Sequence, residues 1–100
     1  MSDDFKVTKR DAPDGYSFWT LDGENGSFHN STGPAVTHVD GYKAWFRLGR
    51  LHRLDGPAVE HPDGRREFWI DGVKVGPNDV TWYQFREAVR LWKVKQVLES

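Results

Sequence analysis

One sequence pattern occurs twice in the middle of this chain, 23 residues apart. "HNSTGPAVTHVDG" at residues 29–41 returns as "HRLDGPAVEHPDG" at residues 52–64. An Asp-Gly pair at residues 14–15 begins a related, earlier unit, and each Asp-Gly is followed by an aromatic residue five positions after the Asp and a glycine nine positions after it. Regular repetition over such a period is typical of repeat architectures. Because the chain has only 100 residues, we predict one small domain built from these units.

Each unit is predicted to form a β-hairpin. Asp-Gly pairs favour tight turns because both residues tolerate positive φ. Pro34 and Pro57 stand at the start of a strand, where the missing N–H is least harmful. The first unit is three residues longer than the second, around Glu24–Gly26. The sequence therefore predicts a β-rich α+β fold, with an antiparallel meander of repeated hairpins over residues 14–77 after a flexible N-terminal tail at residues 1–13.

Aromatic residues are expected on both faces of this sheet. Successive side chains of a strand point to opposite faces. The two columns are Trp19, Trp45 and Phe68 on one face and Thr20, Phe46 and Trp69 on the other. An antiparallel sheet with one wet face normally carries polar residues there, so we expect the second face to be covered in part.

Residues 78–100 are predicted to form one C-terminal helix that packs on the sheet. Pro77, Asn78 and Asp79 suit a helix start, and no Gly or Pro follows them. Because "VTWYQF" has a strand-like composition, the helix can alternatively begin one turn later. At about 100° per residue, the stripe expected to dock on the sheet is Trp82, Phe85, Ala88, Val89 and Trp92. The residues predicted to mediate self-association on the opposite side are Val80, Leu91, Val94 and Leu98.

The fullest copy of the repeat, "GRLHRLDGPA" at residues 49–58, resembles the short β-hairpin repeats of small bacterial and bacteriophage proteins, which are distant relatives of MORN repeats. The preceding copy departs from it, with Asn30 in place of Arg and Thr32 in place of Asp, and in the last copy Val75 replaces the His. The resemblance implies a scaffold for contacts with no fixed activity. For a phage protein it implies binding and inhibition of a host protein.

The four histidines are predicted to be structural. Histidines recur at the repeat spacing, at residues 29 and 52 and at residues 38 and 61. They therefore occupy equivalent positions side by side along a sheet, and we do not expect their side chains to surround one metal ion. The chain has no Cys, which excludes thiolate chemistry. No serine lies in a nucleophile motif and no glycine-rich loop precedes a helix. We expect no enzymatic activity, no cofactor and no metal.

A non-enzymatic protein-binding module, acting as a phage or bacterial inhibitor or adaptor, is the predicted function. Aromatic and Arg side chains are the usual interface anchors. The predicted partner contacts are Tyr42, Phe46, Arg47, Arg50, Arg53, Trp69, Tyr83 and Arg90. A self-assembling, dimeric structural protein is the alternative. Nucleic acid is the least favoured partner, because the net charge is −1 and acidic residues are interleaved with the basic ones.

The sequence shows neither a secretory signal nor an apolar run of about 20 residues. We therefore expect a cytoplasmic protein without a membrane partner, in the cytoplasm of the host cell if it is encoded by a phage.

Overall fold

A computed structural model describes residues 6–22, 26–76 and 80–99. Within these ranges the chain forms ten short strands and then one helix, α1 (Trp82–Glu99). The strands are β1 (Val7–Asp11), β2 (Tyr16–Leu21), β3 (Val36–His38), β4 (Lys43–Ala44), β5 (Phe46–Arg47), β6 (Arg50–Leu51), β7 (Val59–Glu60), β8 (Arg66–Glu67), β9 (Trp69–Ile70) and β10 (Val73–Lys74). The main antiparallel sheet has the order β1-β2-β3-β4-β7-β8, and β5–β6 and β9–β10 form two further hairpins. The predicted β-rich meander with one C-terminal helix is confirmed.

The Asp-Gly pairs form the predicted tight turns. In the second unit the His38 N–H donates to the Tyr42 carbonyl at 2.9 Å, and the Gly41 N–H donates to the His38 carbonyl at 3.0 Å. The Asp40 carboxylate accepts a bond from the Tyr42 N–H at 3.0 Å, and Gly41 has φ of +107°. Residues 61–65 repeat the same set of bonds. The side-chain acceptor and the positive φ explain why Asp and Gly recur together at this point.

The glycines that end the second and third units form a second kind of turn. Leu48 and Gly49 have φ of +52° and +84°, and Asp71 and Gly72 have φ of +52° and +81°. Positive φ at both central residues is the pattern of a type I′ hairpin, which here connects β5 to β6 and β9 to β10. Asp71 suits this conformation better than the bulkier Leu48.

Helix α1 packs on one face of the third unit. Phe85 and Val89 are buried against Phe68 and Ile70, and the rings of Phe68 and Phe85 are 4.5 Å apart. The partly buried residues that complete this cluster are Leu54, Val75, Val80, Ala88 and Trp92. The docking stripe predicted for the helix is thus confirmed at Phe85, Ala88, Val89 and Trp92.

A second apolar cluster lies in the sheet away from the helix. Its buried centre is Val36, Ala44 and Val59, which stand beside one another on the adjacent strands β3, β4 and β7. The partly buried residues around this centre are Phe18, Phe28, Tyr42, Phe46, Leu51 and Trp69. This cluster includes no described residue of α1. The single helix therefore does not cover this part of the sheet.

The prediction of a flexible tail over residues 1–13 is wrong for residues 7–11. These residues form β1, which pairs with β2 from Val7 opposite Leu21 to Asp11 opposite Ser17. The Ser17 hydroxyl donates to the Asp11 carboxylate at 2.6 Å, and the Lys9 ammonium lies 5.3 Å from the centre of the Trp19 ring. A charged segment suits the edge of a sheet because it discourages pairing with further chains, so its polar composition does not exclude a strand.

The helix starts later than residue 78. The Gln84 N–H donates to the Thr81 hydroxyl at 3.2 Å, and the Thr81 N–H donates to the Gln84 side-chain oxygen at 3.0 Å. This reciprocal pair is a capping box, and it makes Thr81 the residue before the first turn. The predicted start residues Pro77–Asp79, and the residues Gly23, Glu24 and Asn25 of the longer first unit, lie outside the described residues.

Replacing Phe85 with alanine should lower the free energy of unfolding by about 3–5 kcal/mol, because the ring is 1% exposed and joins the helix to the sheet. Urea denaturation monitored by circular dichroism measures the change. The matched control is Leu98→Ala on the same helix, where an exposed side chain should change stability by less than about 0.5 kcal/mol. Equal effects of the two substitutions would contradict the assigned helix orientation.

Candidate functional site

The side of α1 that faces away from the sheet carries four exposed apolar or aromatic residues, with Glu87 between the first two of them. Tyr83, Leu91, Val94 and Leu98 are 76%, 59%, 47% and 80% exposed. At about 100° per residue they lie opposite the buried Phe85 and Val89, and we call these four residues the outer helix surface. Three of them, Leu91, Val94 and Leu98, belong to the predicted self-association stripe, and Tyr83 was predicted as a partner contact. Apolar side chains gathered on one exposed surface are typical of interaction sites.

Val80, the fourth residue predicted for the self-association stripe, lies elsewhere. It precedes the helix and packs against the cluster formed by Phe68 and Phe85. The prediction extended the helical phase back to a residue that is not helical. Because Thr81 caps the helix, Val80 does not follow the rotation of about 100° per residue.

Arg90 is oriented by a two-point ion pair on the exposed side of the helix. Its Nε donates to Oε1 of Glu87 at 3.2 Å and its Nη2 donates to Oε2 at 2.8 Å. The bond from Arg90 holds the pKa of Glu87 below its usual value. The two side chains line a surface cleft of about 480 Å³ together with Trp82, Tyr83 and Arg86. An exposed pair of this kind contributes little to stability, but it presents the guanidinium in a defined position beside Tyr83.

The predicted contacts Tyr42, Phe46 and Trp69 lie together in the second apolar cluster and are half-buried. The Trp69 indole N–H donates to one Glu67 oxygen at 3.0 Å, while the other oxygen is 2.6 Å from Nε2 of His61. The bond with His61, followed by the bond from Trp69, lowers the pKa of Glu67. Trp69 is therefore fixed by the sheet itself, and Phe46 and Trp69 contribute to packing within the sheet.

Arg53, another predicted contact, is bonded within its own unit. Its Nη1 donates to the Pro57 carbonyl at 3.0 Å and to Glu60 at 3.2 Å. The guanidinium carbon lies 3.9 Å from the centre of the Trp45 ring, a cation–π arrangement. In the preceding unit the equivalent residue, Asn30, bonds the Pro34 carbonyl at 3.0 Å. Arg53 and Asn30 share a structural task, which is to close the Gly-Pro turn.

The remaining predicted contacts, Arg47 and Arg50, lie at the β5–β6 hairpin and are exposed. Nη1 of Arg50 is 3.3 Å from the carboxylate of Asp71. The eight predicted contacts are thus divided among the second apolar cluster, the repeat turns and the helix. Phe46, Arg47 and Arg53 line one cleft of about 520 Å³ in the repeat sheet, and Tyr83 and Arg90 line another cleft on the helix.

Two histidines link one repeat unit to the turn of the next. Nδ1 of His29 accepts a bond from the Leu48 N–H at 3.0 Å, and Nδ1 of His52 accepts one from the Asp71 N–H at 2.8 Å. In both cases the donor is the first central residue of a type I′ turn, which lies 19 positions after the histidine in the chain. Within the described residues, no group of three or more His, Asp or Glu side chains is placed to hold a metal ion.

Two exposed helix residues were not predicted as site residues. Trp82 was expected to dock on the sheet, and its ring does contact Phe68 and Phe85, yet it is 51% exposed. Val97 is also exposed. Its spacing of three residues from Val94 places it near the outer helix surface, which the sequence could have indicated.

Comparison with known proteins gives no relative for this chain. No protein-family model, no curated protein and no solved structure matches it. Among the described residues, no helix is long and apolar enough to cross a membrane.

A pH titration should separate two of the histidines. Burial lowers the pKa of His52 below 6.5, whereas the hydrogen bond with Asp40, and then the one with the Asp14 carbonyl, raise the pKa of His38. We expect the imidazole NMR signals of His38 to titrate above pH 6.5 and those of His52 below it. Equal titration midpoints for the two histidines would contradict the burial of His52 and the carboxylate partner of His38.

The same shift of His52 makes stability depend on pH. Because the unfolded chain binds the His52 proton more tightly than the folded chain, this histidine's contribution is complete above pH 6.5 and is lost as the pH falls below it. His38, whose pKa is raised, acts in the opposite direction, so the contribution of His52 is isolated by comparing the native chain with the His52→Gln variant in urea denaturation at several pH values. As the pH falls below 6.5, the native chain should lose stability relative to the variant, and an unchanged difference between the two would contradict the assignment.

Proposed function

We propose that this chain is a small, non-enzymatic protein-binding module that acts by occupying a surface of a partner protein. The observation that carries the proposal is the outer helix surface. Six of the ten exposed large hydrophobic residues of the described chain lie on α1. Water tolerates a large contiguous apolar surface poorly, so a second protein that covers it gains the free energy of burying these side chains.

The composition around this surface also supports protein binding. Interface hot spots are enriched in Tyr, Trp and Arg near apolar side chains. Tyr83 and Trp82 stand beside the oriented guanidinium of Arg90 in one cleft, and Leu91 and Val94 follow on the same helix. In this arrangement the aromatic side chains serve as anchors and Arg90 supplies directed hydrogen bonds.

We propose that such a module acts on a host protein, either as an inhibitor or as an adaptor. The resemblance of residues 49–58 to the hairpin repeats of small bacterial and bacteriophage proteins supports this proposal. A chain of 11.6 kDa that covers part of a larger protein can block a functional surface without chemistry of its own. In this proposal the sheet holds the helix and the helix makes the contact.

Affinity capture with matched variants tests the proposal. The tagged protein is incubated with nuclease-treated bacterial lysate, and the retained proteins are identified by mass spectrometry. We expect a stoichiometric partner that is lost with the Leu91→Glu/Val94→Glu double variant, because two carboxylates make the outer helix surface costly to bury. Val39→Glu is the control, since Val39 is equally apolar and 85% exposed but lies in a sheet turn. Equal loss with both variants would argue against the helix as the contact.

A homodimer formed through the outer helix surface is the second candidate, and the exposed Leu91, Val94 and Leu98 are the observation in its favour. Light scattering after size exclusion distinguishes the two. For a dimer we expect twice the mass of 11.6 kDa for the native chain and the single mass for Leu91→Glu/Val94→Glu. A native chain that stays monomeric at high micromolar concentration would exclude the dimer and leave the outer helix surface for a different protein.

A further inference from the structure

One side of α1 carries a row of positive charge beside the outer helix surface. Arg86, Arg90 and Lys93 are separated by four and then three residues, so they stand on the same side of the helix. Arg90 is paired with Glu87, whereas in the described part of the chain neither Arg86 nor Lys93 has an ion-pair partner. Arg86 and Lys93 are therefore two positive charges that no carboxylate of the described chain neutralises through an ion pair.

This row forms the wall of a groove whose floor is apolar. The groove has a volume of about 330 Å³ and is lined by Leu54 and Val89 together with Arg86, Arg90 and Lys93. Leu54 comes from the Gly-Pro turn of the preceding unit and packs against the helix cluster, to which Val89 also belongs. No acidic residue lines the groove. It combines an apolar floor with three cationic groups at its edge.

The groove continues into the cleft that holds the exposed aromatic residues. Arg86 and Arg90 line both spaces, and the second space adds Trp82, Tyr83 and Glu87, whose carboxylate is paired with Arg90. A ligand that follows the helix would therefore meet Lys93, then the two arginines, then the aromatic rings. The cationic residues therefore lie at one end of this path, and the aromatic rings provide an apolar contact at the other end.

We infer that this groove binds an acidic segment of a partner protein, in which an apolar side chain is flanked by carboxylates. The inference rests on the proposed protein-binding function and specifies the chemistry of the partner. Charge complementarity carries it: carboxylates pair with Arg86 and Lys93, and the apolar side chain covers Leu54 and Val89. Arg forms directed two-point bonds with carboxylates, and such complementarity selects acidic over neutral or basic partners.

The spacing of the cations limits the shape of the segment. Arg86 and Lys93 are seven residues apart, which corresponds to about 10 Å along a helix. In an extended partner that distance spans about three residues. Because side chains share a face of an extended segment only at even spacings, carboxylates two or four positions apart on such a segment, or seven apart on a helix, come closest to matching the two unbalanced charges.

A protein segment fits this site better than a nucleic acid. The groove offers three cations, and two carboxylates adjoin it, because Asp55 follows Leu54 and Glu87 is bound to Arg90. A phosphate backbone carries a charge at every nucleotide and needs a continuous basic path. The chain as a whole has a net charge of −1, which disfavours such a polymer. A short segment with two or three carboxylates brings fewer negative charges to this surface and therefore meets less repulsion.

Fluorescence anisotropy with three labelled probes tests the inference on the full chain. The probes are a 12-residue peptide with a central Leu flanked by Glu and Asp, the same peptide with Gln and Asn in place of the acids, and a 12-nucleotide oligothymidine. We expect the acidic peptide to bind at least about tenfold more tightly than its amide form. Arg86→Ala and Lys93→Ala should each weaken binding about three- to fivefold. Lys95→Ala is the control, because Lys95 lies on another side of the helix and is paired with Glu99.

Each alternative result overturns the inference. Equal affinity for the acidic and the amide peptide would show that charge does not select the ligand. Oligothymidine that binds as tightly as the acidic peptide, with the same loss in the Arg86 and Lys93 variants, would assign the groove to nucleic acid. If the acidic peptide fails while lysate capture still depends on Leu91 and Val94, the groove inference fails and the proposed function stands. If both experiments fail, the proposed function fails with it.

Discussion

The contact between Phe85 of α1 and Phe68 of the third unit determines how the rest of the molecule is presented to solvent. These rings, with Val89 and Ile70, form the buried cluster that joins the helix to the sheet. Because a helix has a fixed rotation per residue, burying this one side determines which side chains face outward. The exposed positions of Leu91, Val94 and Leu98, and the cationic row beside them, follow from that single docking contact.

The repeats are connected mainly by polar side chains that bond to backbone groups. His29 and His52 each accept an N–H bond from the turn of the following unit, and Asn30 and Arg53 each bond a proline carbonyl within their own unit. Such bonds satisfy backbone groups that would otherwise be costly to bury. A sheet of strands only two to six residues long has few ladder bonds of its own. This explains why a His recurs at residues 29 and 52, and why residues 30 and 53, although one is Asn and the other Arg, both donate to a proline carbonyl.

Residue patterns were sufficient to predict those parts of the fold that depend on local chemistry. The Asp-Gly turns and the docking side of α1 follow from backbone preferences and helical periodicity, and the structure contains both. The strand at residues 7–11 could not be recognised, because its charged residues resemble a solvated tail and its pairing with β2 is a long-range contact. Val80 was misplaced because the position of the helix cap at Thr81 determines where helical phase begins.

The candidate site was predicted only in part for a related reason. Sequence spacing showed that Tyr83 and Leu91 share a side of the helix with Val94, and the structure places all three in the open. Arg53 and Trp69 have the composition of interface residues, but their bonds to Pro57 and Glu67 are tertiary contacts that no local pattern reveals. An aromatic or Arg residue within a repeat is therefore ambiguous until its internal partners are known.

This division is the reason that we propose the helix as the part of this small protein that recognises a partner. Side chains in the repeats are tied to equivalent positions in neighbouring units, so changing Arg53 or His52 would disturb a turn as well as a surface. Helix residues outside the docking stripe, such as Arg86 and Lys93, have no such bonds within the described chain. Their identities can vary with little cost in stability. A repeated sheet that fixes one helix thus separates the residues that maintain the fold from those that are available to select a partner.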